Sequence, residues 1–179
     1  MIRILKIYTG LNGFTLVELM VAIAIMGIMA AVGIQMAAST VPRYNLRAEA
    51  RELVINFKMA KFEAMKRNRD VVLAFTPGVG TEGGSYQVFA DANGNHTYQD
   101  GIDTNLAFHP LRANILLTNI TFTANRTWYE PSGMVTLAKT GRCEIQMSDG
   151  SNRYGLVLST TGVVRLEASR DGGATWTVK

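Results

Sequence analysis

The sequence contains few of the residues on which disulfide bonds, metal sites and nucleophilic catalysis depend. A single cysteine, Cys143, and two histidines, His96 and His109, occur in 179 residues. One cysteine excludes an internal disulfide and a CxxC metal or redox site. Two histidines are too few for a histidine-dominated metal site unless carboxylates join them. Since no nucleophile motif surrounds either histidine, we expect the protein not to be an enzyme and to need no cofactor.

Charged residues and prolines are also scarce. Charged side chains make up 18% of the chain and apolar ones 47%, a composition typical of a folded protein. Four prolines stand against 17 glycines, which favours a turn-rich, β-rich region. The length fits one ordinary domain. The net charge of +4 indicates an anionic partner only weakly.

One segment near the N-terminus has almost no charge at all. Between Phe14 and Ile34 the only charged side chain is that of Glu18. A run of about 20 apolar residues is long enough to span a bilayer. Two basic residues and no acidic residue precede the run, which would hold its N-terminal side in the cytoplasm. We therefore predict a membrane-spanning helix over residues 14–41.

Glu18 is the one carboxylate inside this apolar run. An unpaired carboxylate in hydrocarbon is costly, so such a residue usually has a partner and a function. From the spacing alone two interpretations stay open: Glu18 pairs with a cation, or it lies at the interface where the helix begins. The same carboxylate argues against an ordinary secretory signal, as does the lack of a clear small-residue cleavage site after the run.

Residues 13–18 read Gly-Phe-Thr-Leu-Val-Glu and are followed by the apolar helix. This pattern resembles the class III signal of type IV pilins and pseudopilins. The resemblance implies that prepilin peptidase removes residues 1–13 as a leader peptide, cutting between Gly13 and Phe14, and then N-methylates Phe14. It also implies that Glu18 pairs with the Phe14 amine of a neighbouring subunit during assembly. Because a buried charge is tolerated when it is paired, the pair would set the register of the bundled helices.

A helical pattern continues after the apolar run. Apolar residues recur at spacings of three and four, which predicts an amphipathic helix over residues 42–68 that docks on a head domain. The residues of this apolar face are Leu46, Ala50, Leu53, Phe57, Ala60 and Ala64. The basic residues of the helix are interpreted as solvated surface. Pro42 is expected to kink or interrupt the long helix.

The remainder, residues 69–179, has extended patterns separated by glycine-rich turns. Short strands at this density predict an antiparallel sheet or sandwich. Two of the predicted strands span 120–127 and 134–137, and a tight hairpin is predicted at 159–163. The predicted fold class is α+β: a long N-terminal helix, membrane-spanning in its first half, packed on a C-terminal antiparallel β-sheet or sandwich head.

Three stretches of this β-rich region resemble the GspH/FimT-type minor pilins and pseudopilins. They are residues 88–95, 131–133 and 161–166. The resemblance implies a minor subunit, initiating or tip-associated, of a type IV pilus. That subunit would cross the inner membrane once, with its head in the periplasm, and then join the filament. Two alternatives stay open: an H-type minor pseudopilin of a type II secretion system, and a DNA-binding minor pilin for natural transformation.

The same resemblance implies a set of partners. These are other major or minor pilins or pseudopilins, which the protein would contact through its N-terminal helix, prepilin peptidase, and the inner-membrane assembly platform. Membrane lipid would surround the helix before assembly. DNA is a partner only under the transformation alternative.

One polar loop looks like an oxygen-rich calcium-binding loop. Calcium takes about six to eight oxygen ligands, and carboxylates and amides at alternate positions can supply them. The candidate ligands are Asp91, Asn93, Asn95, Asp100 and Asp103. However, His96 stands where an EF-hand loop has glycine, and Ile102 where the bidentate glutamate belongs. The alternative is a β-hairpin in which these side chains cap the backbone.

Basic residues near the C-terminus suggest a DNA contact. Residues 162–165 resemble half of the Gly-Arg-x-Arg motif of DNA-binding FimT-like pilins, with Val163 in place of the first arginine. The candidate contacts are Arg165, Arg170 and Lys179. Phosphate binding needs several cations on one face, and the alternative is a solvated hairpin.

Overall fold

The computed structural model describes residues 14–179, apart from the side chains of residues 32–39. Gly13 and the leader peptide predicted over residues 1–13 lie outside the described residues. The described residues divide into two units, of which the first ends at Val41 and the second is Pro42–Lys179.

One long helix, α1, begins at Leu16 and ends at Arg67. Pro42 stands inside it, so this proline does not interrupt the helix, while the alternative expectation of a kink stays a prediction. Proline lacks an N–H and costs about 3 kcal/mol inside a helix, yet α1 continues through it to Arg67. The membrane-spanning helix predicted over residues 14–41 is not found: within residues 14–179, no helix is both long and apolar enough to cross a membrane.

In the second unit, α1 packs on the β-strands through its apolar face. All six residues of the predicted face are buried: Leu46, Ala50, Leu53, Phe57, Ala60 and Ala64. Phe57 lies at the centre of an aromatic cluster, with its ring centroid 6.0 Å from that of Phe75 and 6.4 Å from that of Phe122. The predicted docking of this helix on the head is confirmed.

The described strands of the second unit form two antiparallel sheets. The first has the order β3-β2-β1-β5 and the second the order β4-β6-β7-β8-β9. The strands are β1 Val71–Thr76, β2 Ser85–Ala90, β3 Thr104–Pro110, β4 Ile115–Thr118, β5 Arg126–Tyr129, β6 Gly141–Met147, β7 Arg153–Leu158, β8 Val164–Ser169 and β9 Thr177–Val178. A long helix on antiparallel sheets confirms the α+β class.

Two predicted strands are wrong. Most of residues 120–127 is not extended, because a 3₁₀ turn at Thr123–Asn125 intervenes and Ala124 has φ 57°. Residues 134–137 lead into a second 3₁₀ turn, Leu137–Lys139, instead of pairing with a strand. In both segments the apolar residues lie in or next to turns. Their apolar composition is similar to that of a strand, which is why strands were predicted there.

The predicted hairpin at residues 159–163 is confirmed, and its tip packs on the rest of the unit. It joins β7 to β8, with the Gly162 N–H donating to the Ser159 carbonyl at 2.9 Å. The Lys61 ammonium of α1 donates to the Thr161 carbonyl at 3.1 Å. Gly162 lies directly against the Gly133 carbonyl. Residues 131–133 and 161–166, which both carry the family resemblance, therefore meet in space.

Candidate functional site

The start of α1 is closed by reciprocal hydrogen bonds between Thr15 and Glu18. The Thr15 N–H and hydroxyl both donate to Glu18 Oε2, at 3.0 and 2.9 Å. The Glu18 N–H donates to Thr15 Oγ1 at 3.2 Å. This arrangement is a capping box, with Thr15 as the N-cap residue and Glu18 as the third residue of the helix. The sequence analysis missed it, although Thr-x-x-Glu before an apolar run is the signal for such a cap.

The capping box leaves part of the Glu18 carboxylate free. Both bonds from Thr15 go to Oε2, and Oε1 has no hydrogen-bond donor within the described part of the chain. Glu18 is exposed, and so is Phe14, at 85%. Glu18 can therefore hold the helix start within one subunit and still offer an oxygen to a cation from another. Its pairing with the Phe14 amine of a neighbour, and the cleavage after Gly13, stay predictions.

The first unit exposes its large apolar side chains. Each of the following is more than half exposed: Phe14, Leu16, Val17, Leu19, Met20, Val21, Ile23, Ile25, Met26, Ile28 and Met29. Soluble monomers rarely expose a continuous apolar surface of this extent, and such surfaces mark contact with protein or lipid. The exposed apolar surface of the first unit is therefore a contact surface for protein or lipid.

The loop after β2 is organised by Asp91, which is 4% exposed. Its Oδ1 accepts the N–H groups of Asn93 at 3.1 Å and Gly94 at 2.8 Å, and its Oδ2 accepts that of His96 at 2.7 Å. Burial is the largest single influence on the Asp91 pKa and raises it, yet the three backbone donors together hold that pKa below its ordinary value. Asp91 therefore acts as a cap for the backbone of its own loop.

The other candidate calcium ligands are also engaged within the loop. Asp103 accepts the N–H groups of Ala92 at 2.9 Å and Gln99 at 2.8 Å. The remaining ligands, Asn93, Asn95 and Asp100, accept from the Asn95 N–H, the Thr97 N–H and the Tyr98 hydroxyl. Across residues 14–179, no group of three or more His, Cys, Asp or Glu side chains could hold a metal ion. The contacts are those of the capped hairpin, and calcium binding at this loop stays a prediction.

Replacing Asp91 by alanine is expected to lower the free energy of unfolding by about 2–3 kcal/mol, because three partly buried backbone N–H groups lose their charged acceptor. The folded-state pKa of Asp91 is lowered, so its contribution is fully present above the unfolded pKa of about 3.9 and is lost as pH falls through the folded value. Urea unfolding followed by tryptophan fluorescence, at neutral pH and at stepwise lower pH, measures both effects.

The matched control for this change is Asp100→Ala in the same loop. Asp100 is exposed and accepts a single bond from the Tyr98 hydroxyl at 3.2 Å. We expect the control to change the free energy of unfolding by less than about 0.5 kcal/mol. Equal losses for the two variants would contradict the capping role of Asp91.

Both histidines lie against carboxylates. His109, on the edge strand β3, places Nε2 2.6 Å from Oε2 of Glu49, and Arg112 places Nε 3.0 Å from Oε1 of the same residue. Glu49 is 4% exposed, so this cluster joins α1 to the first sheet through a nearly buried carboxylate. His96 stacks on Trp128, with ring centroids 3.8 Å apart. These contacts give both histidines structural partners.

Two of the three candidate DNA contacts come together. Arg170 and Lys179 line one cavity of about 390 Å³. Arg165 is not among its lining residues, whereas its neighbour Leu166 is. Because successive side chains of a strand point to opposite faces, Arg165 lies on the other face of β8. Two arginines of α1 also line this cavity, and the sequence analysis had interpreted them as solvated surface.

The N-terminal features define the class of protein. Residues 12–34 match the family described as prokaryotic N-terminal methylation motif, which spans the capping box and most of the exposed apolar segment. Together with an α+β second unit, this match defines a pilin-like protein. Residues 49–162, more than half of the chain, match the family described as type II transport protein GspH. The chain belongs to the GspH family, which confirms the resemblance to GspH/FimT-type pilins and pseudopilins.

One solved structure is similar to this chain, the minor pseudopilin EpsH from the type 2 secretion system of Vibrio cholerae. The sequences are 16% identical, the similarity covers 68% of this chain and 95% of that one, and the TM-score is 0.49. No curated protein matches the sequence. On the two family matches the protein is a minor pilin or pseudopilin, of a type IV pilus or of a type II secretion system. Proteins of this class associate with other pilins and are processed by prepilin peptidase.

Proposed function

We propose that the protein is a minor subunit of a type IV pilus, with an initiating or tip-associated position. The observation that carries the proposal is the N-terminal methylation motif at the start of a segment whose large apolar side chains are exposed. These side chains need lipid before assembly and neighbouring helices afterwards, since water is an unfavourable environment for them. The role is structural and involves no catalysis by this chain.

We further propose that residues 14–41 anchor the subunit in the inner membrane and that the second unit lies in the periplasm. The basic residues before the apolar run and the methylation motif support this orientation. Prepilin peptidase would remove residues 1–13, and the assembly platform of the inner membrane would then transfer the subunit from the bilayer to the filament.

Glu18 would guide that transfer. The capping box fixes the rotamer of the carboxylate at the start of the helix, and Oε1 stays open to a neighbour. After cleavage, the Phe14 amine of a neighbouring subunit is a cation that can approach this oxygen. Methylation leaves the amine cationic and changes its hydration. A desolvated pair of this kind favours one register of the helices over others, because an unpaired charge there would be strongly destabilising.

A second candidate is an H-type minor pseudopilin of a type II secretion system. The family match over residues 49–162, described as a type II transport protein, favours it. The processing, the anchoring and the role of Glu18 would be the same, because both filaments assemble through the N-terminal helix. A DNA-binding minor pilin is the third alternative, and it would use Arg165, Arg170 and Lys179.

The experiment that separates these functions is a deletion strain complemented with the wild-type chain. We expect electron microscopy to show loss of surface pili on deletion and their return on complementation. Unchanged pili together with a loss of exported folded proteins would favour the type II secretion system over the pilus. Unchanged pili and secretion, with a loss of DNA uptake that Arg165→Gln reproduces, would favour the DNA-binding alternative.

A further inference from the structure

A cavity of about 390 Å³ between α1 and the last strands of the second sheet is lined mainly by cations. Its lining residues are Arg47, Arg51, Tyr154, Leu166, Arg170 and Lys179, and we call this cavity the basic cleft. Four of the six side chains carry a positive charge, and none carries a negative one. A second cavity of about 290 Å³ shares Arg170 and Lys179 and adds the hydroxyl-bearing residues Thr175 and Thr177.

The fold brings these four cations together from distant parts of the sequence. Arg47 and Arg51 are four residues apart on α1 and therefore share one face of the helix. Arg170 directly follows β8, which ends at Ser169, and Lys179 directly follows β9. The two strands are antiparallel partners, and the Lys179 N–H donates to the Leu166 carbonyl at 2.9 Å. Strand pairing thus fixes the last two cations against the helix that carries the first two.

The cations of the basic cleft have no anionic partner within the described residues. None of them lies within 4.0 Å of a carboxylate, whereas Arg67, Arg112 and Arg142 all do. Asp171, the acidic residue that directly follows Arg170, forms its hydrogen bonds with neighbouring residues of its own loop. It accepts the Ser169 hydroxyl at 2.6 Å and the Thr175 N–H at 3.0 Å.

Four cations around one cavity repel each other unless an anion is present. Arginine presents a planar fork of N–H donors that matches the oxygens of a phosphate group, and such charge-assisted bonds are stronger than neutral ones. Tyr154 and Leu166 add an apolar wall, and the volume falls within the range of about 300–1,000 Å³ found for small-molecule sites. The phosphates of a nucleic-acid duplex follow an extended line of cations, whereas the four cations of the basic cleft surround a single cavity.

We propose that the basic cleft binds a compact phosphate-bearing ligand. The phosphate group belongs either to a free small molecule or to the headgroup of an anionic phospholipid, and both present the same oxygens to Arg47 and Arg51. The proposal goes beyond the assembly role, because it concerns only side chains of the second unit and holds for a pilus and for a secretion system alike.

Calorimetric titration of the full chain in an uncharged detergent tests the proposal. The probes are inorganic pyrophosphate and monomeric dihexanoyl phosphatidylglycerol, with dihexanoyl phosphatidylcholine as the zwitterionic control. We expect saturable binding of at least one anionic probe and no binding of the control lipid. The double variant Arg47→Gln/Arg51→Gln should weaken binding at least about tenfold, because it removes two charge-assisted contacts.

Two variants control for net charge. Lys58 is exposed on the same helix outside the cleft, and Arg165 lies on the other face of β8. Lys58→Gln and Arg165→Gln should leave the affinity unchanged, and tryptophan fluorescence should show that all variants are folded.

Binding of pyrophosphate alone identifies a free ligand, and binding of the phosphatidylglycerol probe alone identifies a lipid headgroup. No saturable binding, or an equal loss in Lys58→Gln, would overturn the proposal.

A DNA oligonucleotide is the third arm of the same experiment. The proposal predicts that pyrophosphate displaces any oligonucleotide that binds in the cleft. Binding that pyrophosphate does not displace, and that Arg165→Gln weakens as much as Arg51→Gln, would mean that the cations form a nucleic-acid surface. That result would overturn the assignment of a compact ligand.

Discussion

The variant Glu18→Gln is expected to be cleaved and methylated normally and to be almost absent from assembled filaments. Glutamine keeps an oxygen that can accept the Thr15 N–H and hydroxyl, so the helix cap seen in the structure survives. It removes the negative charge, so the Phe14 amine of the neighbouring subunit would be buried without a partner. Breaking a buried pair in this way costs about 3–5 kcal/mol, enough to reduce incorporation by more than about a hundredfold.

The variant Thr15→Val is the control that separates the effect of the Glu18 charge from the effect of the helix cap. Valine removes the hydroxyl that bonds to Glu18 and keeps the carboxylate, so the expected loss is that of a helix cap, about 0.5–2 kcal/mol. Immunoblots of sheared filaments and of membranes, together with the mass of the processed chain, measure both variants. We expect the threonine variant to assemble at a reduced level. Normal assembly of Glu18→Gln together with failure of Thr15→Val would show that only the cap matters.

The second large effect is expected from Gly162→Ala, which should lower the free energy of unfolding by about 3 kcal/mol or more. Gly162 has φ 70°, a conformation that disfavours a side chain. A Cβ there would also collide with the Gly133 carbonyl and approach Tyr129 Cε1 to 3.0 Å. Because the colliding atom belongs to the backbone, the hairpin tip must shift away from the Gly133 carbonyl, which disturbs the packing around the bond from Lys61.

Gly94→Ala separates backbone strain from collision. Gly94 has φ 77° and nothing within 4 Å of the position of a Cβ, so its replacement costs only the conformational strain, about 1 kcal/mol. Both tryptophans, Trp128 and Trp176, belong to the second unit, so urea unfolding followed by fluorescence reports on that unit. Equal losses for the two glycine variants would contradict the close packing of the hairpin tip.

The helix face could be predicted from the sequence because its cause is local. Spacings of three and four place six apolar residues on one side of α1, and all six are buried. The hairpin at residues 159–163 was predictable for the same reason, since its turn residues specify it. The strand β3 could not be predicted. It lies at the edge of its sheet, and its side chains range from exposed to half-buried without regular alternation.

The candidate sites differ in the same way: a site formed by residues close in sequence could be predicted, and a site formed by distant residues could not. The family motif predicts the roles of Gly13, Phe14 and Glu18, which stay predictions, whereas the capping box was missed because Glu18 was interpreted only as a charge in an apolar run. The alternative of a capped hairpin at Asp91 could be stated from the sequence, because its contacts are with nearby residues. The basic cleft could not be predicted. Arg47 and Arg51 are more than one hundred residues away from Arg170 in the chain, and only strand pairing and helix docking bring them to one cavity.

The most direct test of the account is the N-terminus of the chain in assembled filaments. Filaments sheared from cells would be dissolved, and the N-terminal sequence and intact mass of this subunit determined. The account predicts a chain that begins at Phe14 with a methylated amine and is present in the filament fraction. A chain that still begins at Met1, or one cut after the apolar run and released from the membrane, would contradict it.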